Sequence, residues 1–269
     1  MIQEPSTRQE AWRYADPTAL RAYVAPVEPK VQQITGETLF VETLTAASSM
    51  ALAFDVAEGA HLTHVRLVPG ELTAPAFAQV TVNVAAAATY TNIFASFAKT
   101  YVRNEVEVNL DAAGAHTDLR GIYLLNGRGH CDTFTRVCHR AADTTSDEVY
   151  KGVLAERARG VFQAQIHVAP DAQRIVGNQM HRTLMLSDDA RADAKPELEI
   201  FADDVQCSHG ATVGDLDADQ LYYLTSRGVP IHQARALLIE AFLADIVTAL
   251  PGAHRDACQA QTRLFLEHL

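Results

Sequence analysis

Short stretches of alternating apolar and polar residues dominate the chain between residues 31 and 214. The clearest examples are residues 106–110, 161–168 and 198–202, where every second residue is apolar. Alternation with this period is typical of β-strands that bury one face each. Turn-like stretches such as residues 126–129 separate the alternating segments, and no long amphipathic helical pattern does so. The pattern therefore predicts a mainly β body and disfavours a doubly wound α/β sheet, whose strands are joined by helices.

Periodicity alone leaves three all-β architectures open. They are an antiparallel sandwich, a barrel, and a parallel β-helix whose coils bury short strands turn after turn. All three place alternating side chains inside and outside, so the local pattern is the same in each. The alternation predicts which residues share a face, and it does not predict which strands are neighbours.

Helical signals replace the alternation at both ends of the chain. Asp16 precedes a proline in a polar stretch, which predicts one or two short helices near the start. Asp217 and Gln220 resemble a capping box that opens a helix ending at Gly228. A second helix is predicted from about Ile231 to Leu250 and a third from His254 to Leu269. The second helix has a broad apolar stripe at Ala234, Leu238, Ala241, Phe242 and Ile246. The resulting division is a short N-terminal segment at 1–30, a β core at 31–214 and a helical domain at 215–269.

Composition excludes several classes of protein. The 22 basic and 33 acidic side chains give a net charge of −11, which disfavours binding to nucleic acid. No uncharged apolar stretch of about 18 residues suggests a membrane helix, and the start has no apolar secretion segment. The four cysteines are too few for a disulfide scaffold in a chain of this length, so we expect reduced thiols and a cytoplasmic location.

The densest group of soft metal ligands lies in one predicted strand. His130, Cys131, Cys138 and His139 provide four nitrogen or sulfur atoms, a number that suits tetrahedral zinc. Adjacent residues of a strand point to opposite faces, however, so one extended segment cannot turn all four inward. The alternative reading is two small thiols packed inward and two histidines pointing out. No phosphate-binding loop or hydrolase elbow accompanies the group, so any ATP in the process must bind another chain.

A second candidate site combines Cys207 and His209. If a strand continues through both residues, their side chains share one face about 7 Å apart, within reach of one iron. Two ligands do not complete a tetrahedral iron site, so the remaining ligands would come from a neighbouring chain. The alternative interpretation is a core thiol beside a hydrogen-bonded turn histidine.

Aromatic residues of the predicted helices form a third candidate site. The predicted C-terminal helices carry Tyr222, Tyr223 and Phe242, and Arg227 lies in the turn between the first two helices; aromatic and arginine side chains are common anchors of protein interfaces. Such a group serves either internal packing or the docking of a partner.

Several longer stretches together resemble the SufD family, a subunit of the SUF iron–sulfur cluster assembly system. Residues 195–214, which contain Cys207-Ser-His-Gly210, and residues 219–228 look like the family signature. Further similar stretches are residues 8–14, 150–154, 158–162 and 184–187. The resemblance implies a right-handed parallel β-helix with a helical C-terminal part. It also implies pairing with a SufB-like subunit and binding of a SufC-like ABC ATPase.

The resemblance gives the second and third candidate sites a role. His209, with Cys207 beside it, would lie at the junction with the SufB-like chain and contact a transient iron–sulfur cluster or iron. Tyr222, Tyr223, Arg227 and Phe242 would dock the ATPase. The expected function is a non-catalytic scaffold with no tightly bound cofactor, and whether the isolated chain forms a homodimer is left open. The alternative function is a stand-alone β-helical or cupin-like metalloenzyme that uses the cluster from His130 to His139.

Overall fold

The computed structural model describes residues 6–26, 28–45 and 48–267. Within these residues the chain forms two short 3-10 helices, fourteen β-strands and three α-helices. The 3-10 helices are Glu10–Trp12 and Ala19–Ala22. The strands are β1 (Val31–Ile34), β2 (Glu37–Thr43), β3 (Ser48–Val56), β4 (His61–Val68), β5 (Ala76–Val84), β6 (Thr89–Ser96), β7 (Tyr101–Leu110), β8 (His116–Leu125), β9 (His130–His139), β10 (Thr145–Leu154), β11 (Arg159–Val168), β12 (Ile175–Met185), β13 (Arg191–Ile200) and β14 (Val205–Gly214). The α-helices are α1 (Ala218–Ser226), α2 (Ile231–Ala249) and α3 (Gly252–Leu266).

The strands form two parallel sheets, and the chain passes from one sheet to the other with each successive strand. Odd-numbered strands build a seven-stranded sheet in the order β1-β3-β5-β7-β9-β11-β13, and even-numbered strands build the second sheet from β2 to β14 in the same way. Each coil therefore stacks on the one before it. This arrangement is a parallel β-helix, and it confirms that architecture over the sandwich and the barrel.

In-register side chains of successive coils form columns inside the β-helix. One apolar column of the odd sheet contains Phe54, Val82, Val108, Val137, Ile166 and Leu198. The first five are fully buried. Complete burial of an aliphatic or aromatic side chain contributes about 1.5–3 kcal/mol, so these columns account for much of the stability of the stack. Glycine occurs where a neighbour needs the space: the Tyr123 ring occupies the position that a Cβ at Gly152 or Gly160 would take.

The central strands are buried on both faces, which differs from the expectation of one exposed face. Helices α2 and α3 cover the outer face of the even sheet, where Ile122 and Leu124 belong to one apolar cluster with Ile239, Leu243 and Ile246. The alternation in the sequence identifies the inner positions correctly. The residue type at a covered outer position depends on the segment that packs on it. That segment is distant in the sequence, so the alternation within one strand does not predict the burial of its outer face.

The N-terminal segment, residues 6–26, covers the outer face of the odd sheet. Trp12 packs against Phe77, and the guanidinium of Arg103 lies 4.6 Å from the centre of the Trp12 ring. At the far edge of the same face, Glu10 of this segment forms an ion pair with Lys195 of β13. The segment therefore crosses the sheet from β5 to its last strand.

The α-helices begin and end close to the predicted positions, but α2 buries a different face. The carboxylate of Asp217 accepts the backbone N–H of Gln220 at 2.9 Å and caps α1 as predicted. The buried side chains of α2 are Ala234, Ile239, Leu243, Ile246 and Val247, whereas the predicted stripe included Leu238 and Phe242. Helix α2 is apolar around most of its circumference, so periodicity does not specify the side that faces the sheet. The predicted end of α3 at Leu269 lies outside the described residues. No helix among the described residues is long and apolar enough to span a membrane.

Candidate metal half-site on the last coil

The last coil of the β-helix exposes two strand edges. Strands β13 and β14 each end their sheet, and neither has a second neighbouring strand in the described part of the chain. Val205 and Cys207 at one end of β14 still pack against the core below. Toward the other end the interior opens, because His209 is exposed and the Val213 side chain is 50% exposed. The surface of the last coil therefore has apolar residues packed on the core at one end of β14, and solvent-accessible inward-facing residues at the other end.

Cys207 lies directly above Gly177 of β12, its in-register neighbour. A Cβ built on Gly177 would be 3.4 Å from the Cys207 Sγ, so the glycine leaves the sulfur in ordinary contact distance of the strand below. Burial raises the pKa of the Cys207 thiol. Since metals bind the thiolate, Cys207 is a poor ligand until a charge or a metal ion arrives to stabilise the deprotonated form.

His209 lies two positions after Cys207 on the same strand. Strand geometry therefore places both side chains on one face, separated by roughly 7 Å along β14. Together they offer one imidazole nitrogen and one sulfur, which is half of a tetrahedral coordination shell. Their action as ligands stays a prediction.

A buried polar chain lies beneath His209. The in-register residue of β12 is Gln179, whose side chain is 2% exposed, and the next one on β10 is Glu148. The Gln179 Nε2 donates to Glu148 Oε1 at 3.0 Å, and the Thr135 hydroxyl donates to Glu148 Oε2 at 2.6 Å. Burial raises the pKa of Glu148 to about 7. Sequence analysis missed Glu148 and Gln179 because only the register of successive coils brings them under His209.

The four soft ligands of β9 do not form one site. His130 and Cys131 lie at the start of the strand and Cys138 and His139 at its end, so roughly 25 Å separates the two pairs. All four side chains are buried. Since residues two apart on a strand share a face, His139 lies with Cys131 on the inner face and His130 lies with Cys138 on the outer face, so each face carries one thiol and one histidine rather than two thiols inside and two histidines outside. His130 is covered because the outer face of β9 is not open to solvent near the N-terminal segment.

The buried histidines of β9 have structural partners or a buried environment. His139 Nδ1 is 2.7 Å from Thr144 Oγ1, and its Nε2 is 2.9 Å from Ser146 Oγ. His130 packs edge-on against Tyr101, with ring centroids 4.9 Å apart. Burial lowers the pKa of both histidines to about 4. Throughout the described ranges, no group of three or more His, Cys, Asp or Glu side chains is arranged to hold a metal ion.

The predicted docking residues divide into two exposed tyrosines and one inward phenylalanine. Tyr222 and Tyr223 on α1 are 74% and 58% exposed, and the Arg227 guanidinium lies 5.2 Å from the centre of the Tyr223 ring. Phe242 instead packs on the cluster between the helices and the even sheet, with Lys151 Nζ 5.1 Å from its ring centre. Lys151 also forms an ion pair with Asp245 at 2.7 Å. The exposed surface is therefore centred on α1, and Phe242 mainly holds α2 to the β-helix.

Comparison with known proteins gives one family match. The family model described as SUF system FeS cluster assembly, SufBD core domain, matches residues 30–242. The iron–sulfur cluster assembly protein SufD of Escherichia coli is 32% identical over 196 residues, which are 73% of this chain and 46% of that protein. SufD of Bacillus subtilis is 35% identical over 148 residues, 55% of this chain and 34% of that protein. A SufBD family protein of Synechocystis is 36% identical over 151 residues, 56% of this chain and 33% of that protein. The aligned part thus spans about a third to a half of the length of these relatives.

Proposed function

This chain belongs to the SufBD family as a SufD-type member, and from that premise we propose that it is a non-catalytic scaffold subunit in iron–sulfur cluster assembly. The observation that carries the proposal is the last coil, where an exposed imidazole and a half-buried thiol lie beside two strand edges that no other described strand pairs with. A half-site next to open edges is suited to completion by a second chain.

The partner at the last coil would be a SufB-like subunit. The backbone N–H and C=O groups on the outer edges of β13 and β14, which pair with no strand in the described part of the chain, can pair with strands of another chain and give affinity through main-chain hydrogen bonds. The exposed Val213, Ile200 and Phe201 around these edges supply apolar area for the same contact. A second copy of this chain could use the same edges when the SufB-like subunit is missing.

The partner at the helices would be a SufC-like ABC ATPase. Tyr222, Tyr223 and Arg227 form an exposed aromatic and cationic surface on α1, of the composition that interface anchors favour. Helices α2 and α3 fix this surface to the even sheet. A movement imposed on α1 by the ATPase would therefore be transmitted to the β-helix.

In this proposal, iron and sulfide bind at the contact between this chain and the SufB-like subunit, and this chain alone holds no tightly bound cofactor. His209 supplies an imidazole nitrogen, and Cys207 supplies a second ligand once it is deprotonated. A thiolate of the partner completes the set. Because the ligands belong to two chains, motion between the chains assembles or opens the site.

Replacement of His209 by alanine tests this function. In the complex reconstituted with SufB-like and SufC-like chains, His209→Ala should lower cluster yield several-fold, measured by the visible absorption of the cluster, because a ligand is lost. Complex formation should stay intact on size exclusion, since the backbone edges are unchanged.

A matched control is His61→Ala, which removes a partly exposed histidine at the other end of the β-helix. It should leave the yield unchanged. An equal yield from His209→Ala and the native chain would remove His209 from the mechanism.

A further inference from the structure

Three inward-facing residues of the even sheet form a column that runs from the interior to the surface. Glu148 of β10, Gln179 of β12 and His209 of β14 are in register on adjacent strands. Parallel strands lie about 4.8 Å apart, so in-register side chains on one face stack against each other. Glu148 and Gln179 are buried, and His209 is exposed. The column therefore ends at the residue that we propose as a cluster ligand.

The hydrogen bonds give this column a direction. Glu148 Oε2 accepts from Thr135 and Oε1 accepts from the Gln179 Nε2. The amide nitrogen of Gln179 is thereby committed to β10, the strand below. Its oxygen, Oε1, is buried and has no hydrogen-bond partner among the described residues. A buried acceptor without a donor is unfavourable, and so a donor on the next strand is expected to fill this place.

His209 is the residue of β14 that stacks on Gln179. A neutral imidazole carries one N–H donor and one acceptor nitrogen, and a hydrogen bond to one nitrogen decides which of them keeps the proton. Histidines that bind metals commonly donate their second ring nitrogen to an oxygen, which fixes the tautomer and the ring orientation. Gln179 Oε1 is a buried, unpartnered oxygen on the residue directly below His209, so it can serve as such a partner.

We propose that Gln179 is a positioning residue for His209. Its side-chain oxygen accepts the N–H of the inward ring nitrogen, and the other nitrogen is thereby left unprotonated and directed out of the coil toward the partner chain. Glu148 holds the Gln179 amide in the orientation that this requires. The inference rests on the proposed ligand role of His209 and adds the residues that prepare the ring before a partner or iron arrives.

The test is the tautomer of His209 in the isolated full chain. The chain is labelled with 15N at histidine, and long-range 1H–15N spectra at pH 8 show which ring nitrogen carries the proton. His209→Asn identifies the His209 signals, and the exposed His232 on α2 is the internal reference. In the native chain, His209 should have a tautomer ratio clearly displaced from that of His232.

Three variants separate positioning from packing. Gln179→Leu removes the acceptor and should bring the His209 ratio to that of His232, whereas Gln179→Glu retains an oxygen and should keep the ratio displaced. Thr183→Val, at another inward position of β12, is the matched control and should change nothing at His209. If Gln179→Leu fails to fold, Glu148→Gln gives the same readout, because a second amide competes for the Gln179 oxygen and should weaken the preference.

A native His209 that matches His232, or a displaced ratio that survives Gln179→Leu in a folded chain, would overturn the positioning role. The proposed function is tested separately by cluster yield in the complex. A tautomer that responds to Gln179→Leu, together with a cluster yield insensitive to His209→Ala, would retain the positioning role and reject the ligand role. If Gln179→Leu loses both the tautomer preference of His209 and the cluster yield of the complex, the result supports the ligand role of His209 together with the positioning role of Gln179.

Discussion

Buried ionisable side chains of the β-helix, on its inner and its covered outer faces, determine how its stability responds to acid. The pKa values of His130, His139 and His181 are lowered to about 4, because burial penalises the charged imidazolium. Glu148 is shifted in the opposite sense, to about 7, because burial penalises its carboxylate. A shift of about 2.5 pKa units corresponds to about 3 kcal/mol at most, so each group is large enough to affect the free energy of unfolding.

The signs of these shifts predict that the protein loses stability between about pH 6.5 and pH 4.5. In that range the unfolded chain binds more protons at the three histidines, so their contribution falls as the pH falls. Over much of the same range the folded chain binds the extra proton at Glu148, so its contribution rises as the pH falls. Three histidines outweigh one glutamate, and the net free energy of unfolding should decrease. Urea denaturation at a series of pH values measures this slope.

The variant that checks the assignment is His139→Gln, which removes a titrating ring and retains polar atoms near Thr144 and Ser146. It should flatten the decline in stability between pH 6.5 and 4.5. His232→Gln on the surface of α2 should leave the slope unchanged. Identical slopes for the native chain and His139→Gln would mean that His139 titrates in the folded protein as it does in the unfolded one.

At the scale of single elements, α1 is the part of the helical region with the most exposed aromatic surface. Its start was predictable because an N-cap is a local signal: Asp217 and the N–H of Gln220 are three positions apart. The face of α2 was not predictable, since Leu238 and Leu243 are equally apolar and only the position of the even sheet distinguishes them. The same limit explains why the sequence alone did not show that Phe242 packs on the cluster between α2 and the even sheet, and its role in docking stays a prediction.

The exposed tyrosines of α1 lead to a binding prediction. The double substitution Tyr222→Ala and Tyr223→Ala should weaken binding of the SufC-like ATPase at least tenfold, because two interface anchors at about 1.4 kcal/mol or more in total are lost. The thermal midpoint of the isolated chain should barely change, since neither ring is buried. Isothermal titration calorimetry measures the affinity. Leu39→Ala, an exposed apolar residue on β2, is the control, and native affinity in the double variant would place the ATPase elsewhere.

At the scale of the whole molecule, the β-helix was predictable only in part from its residues. Period-two alternation gave the inward positions, including the shared face of Cys207 and His209, because that relation is local to one strand. It did not distinguish a β-helix from a sandwich or a barrel, and the resemblance to the SufD family made that choice. The stacking of Glu148, Gln179 and His209 depends on a register between residues about 30 positions apart, which no local pattern encodes.

The open end of the β-helix gives a prediction about assembly. Val213→Asp adds a charge to the inward face of the last coil, where the native side chain is 50% exposed. The isolated chain should fold with nearly unchanged stability, because the aspartate remains in water. Pairing with the SufB-like chain should fail in co-purification, because the contact would bury an unpaired carboxylate.

Val24→Asp provides the control, since Val24 is an exposed residue of the N-terminal segment far from the last coil in sequence. It should leave co-purification intact. Retention of the SufB-like chain by Val213→Asp at native levels would show that the partner does not cover this end of the coil.

The contacts of the N-terminal segment with early and late strands of the odd sheet imply an order in which they can form during synthesis. Coils of a solenoid contact their immediate neighbours, so the stack can grow as the ribosome extends the chain. The ring contact between Trp12 and Phe77 can form early, whereas the ion pair of Glu10 requires Lys195, which is translated 185 residues after it. Both residues belong to the short helix Glu10–Trp12, so this turn contacts a strand near the start of the stack through Trp12, and its ion pair through Glu10 forms only after the thirteenth strand has been synthesised.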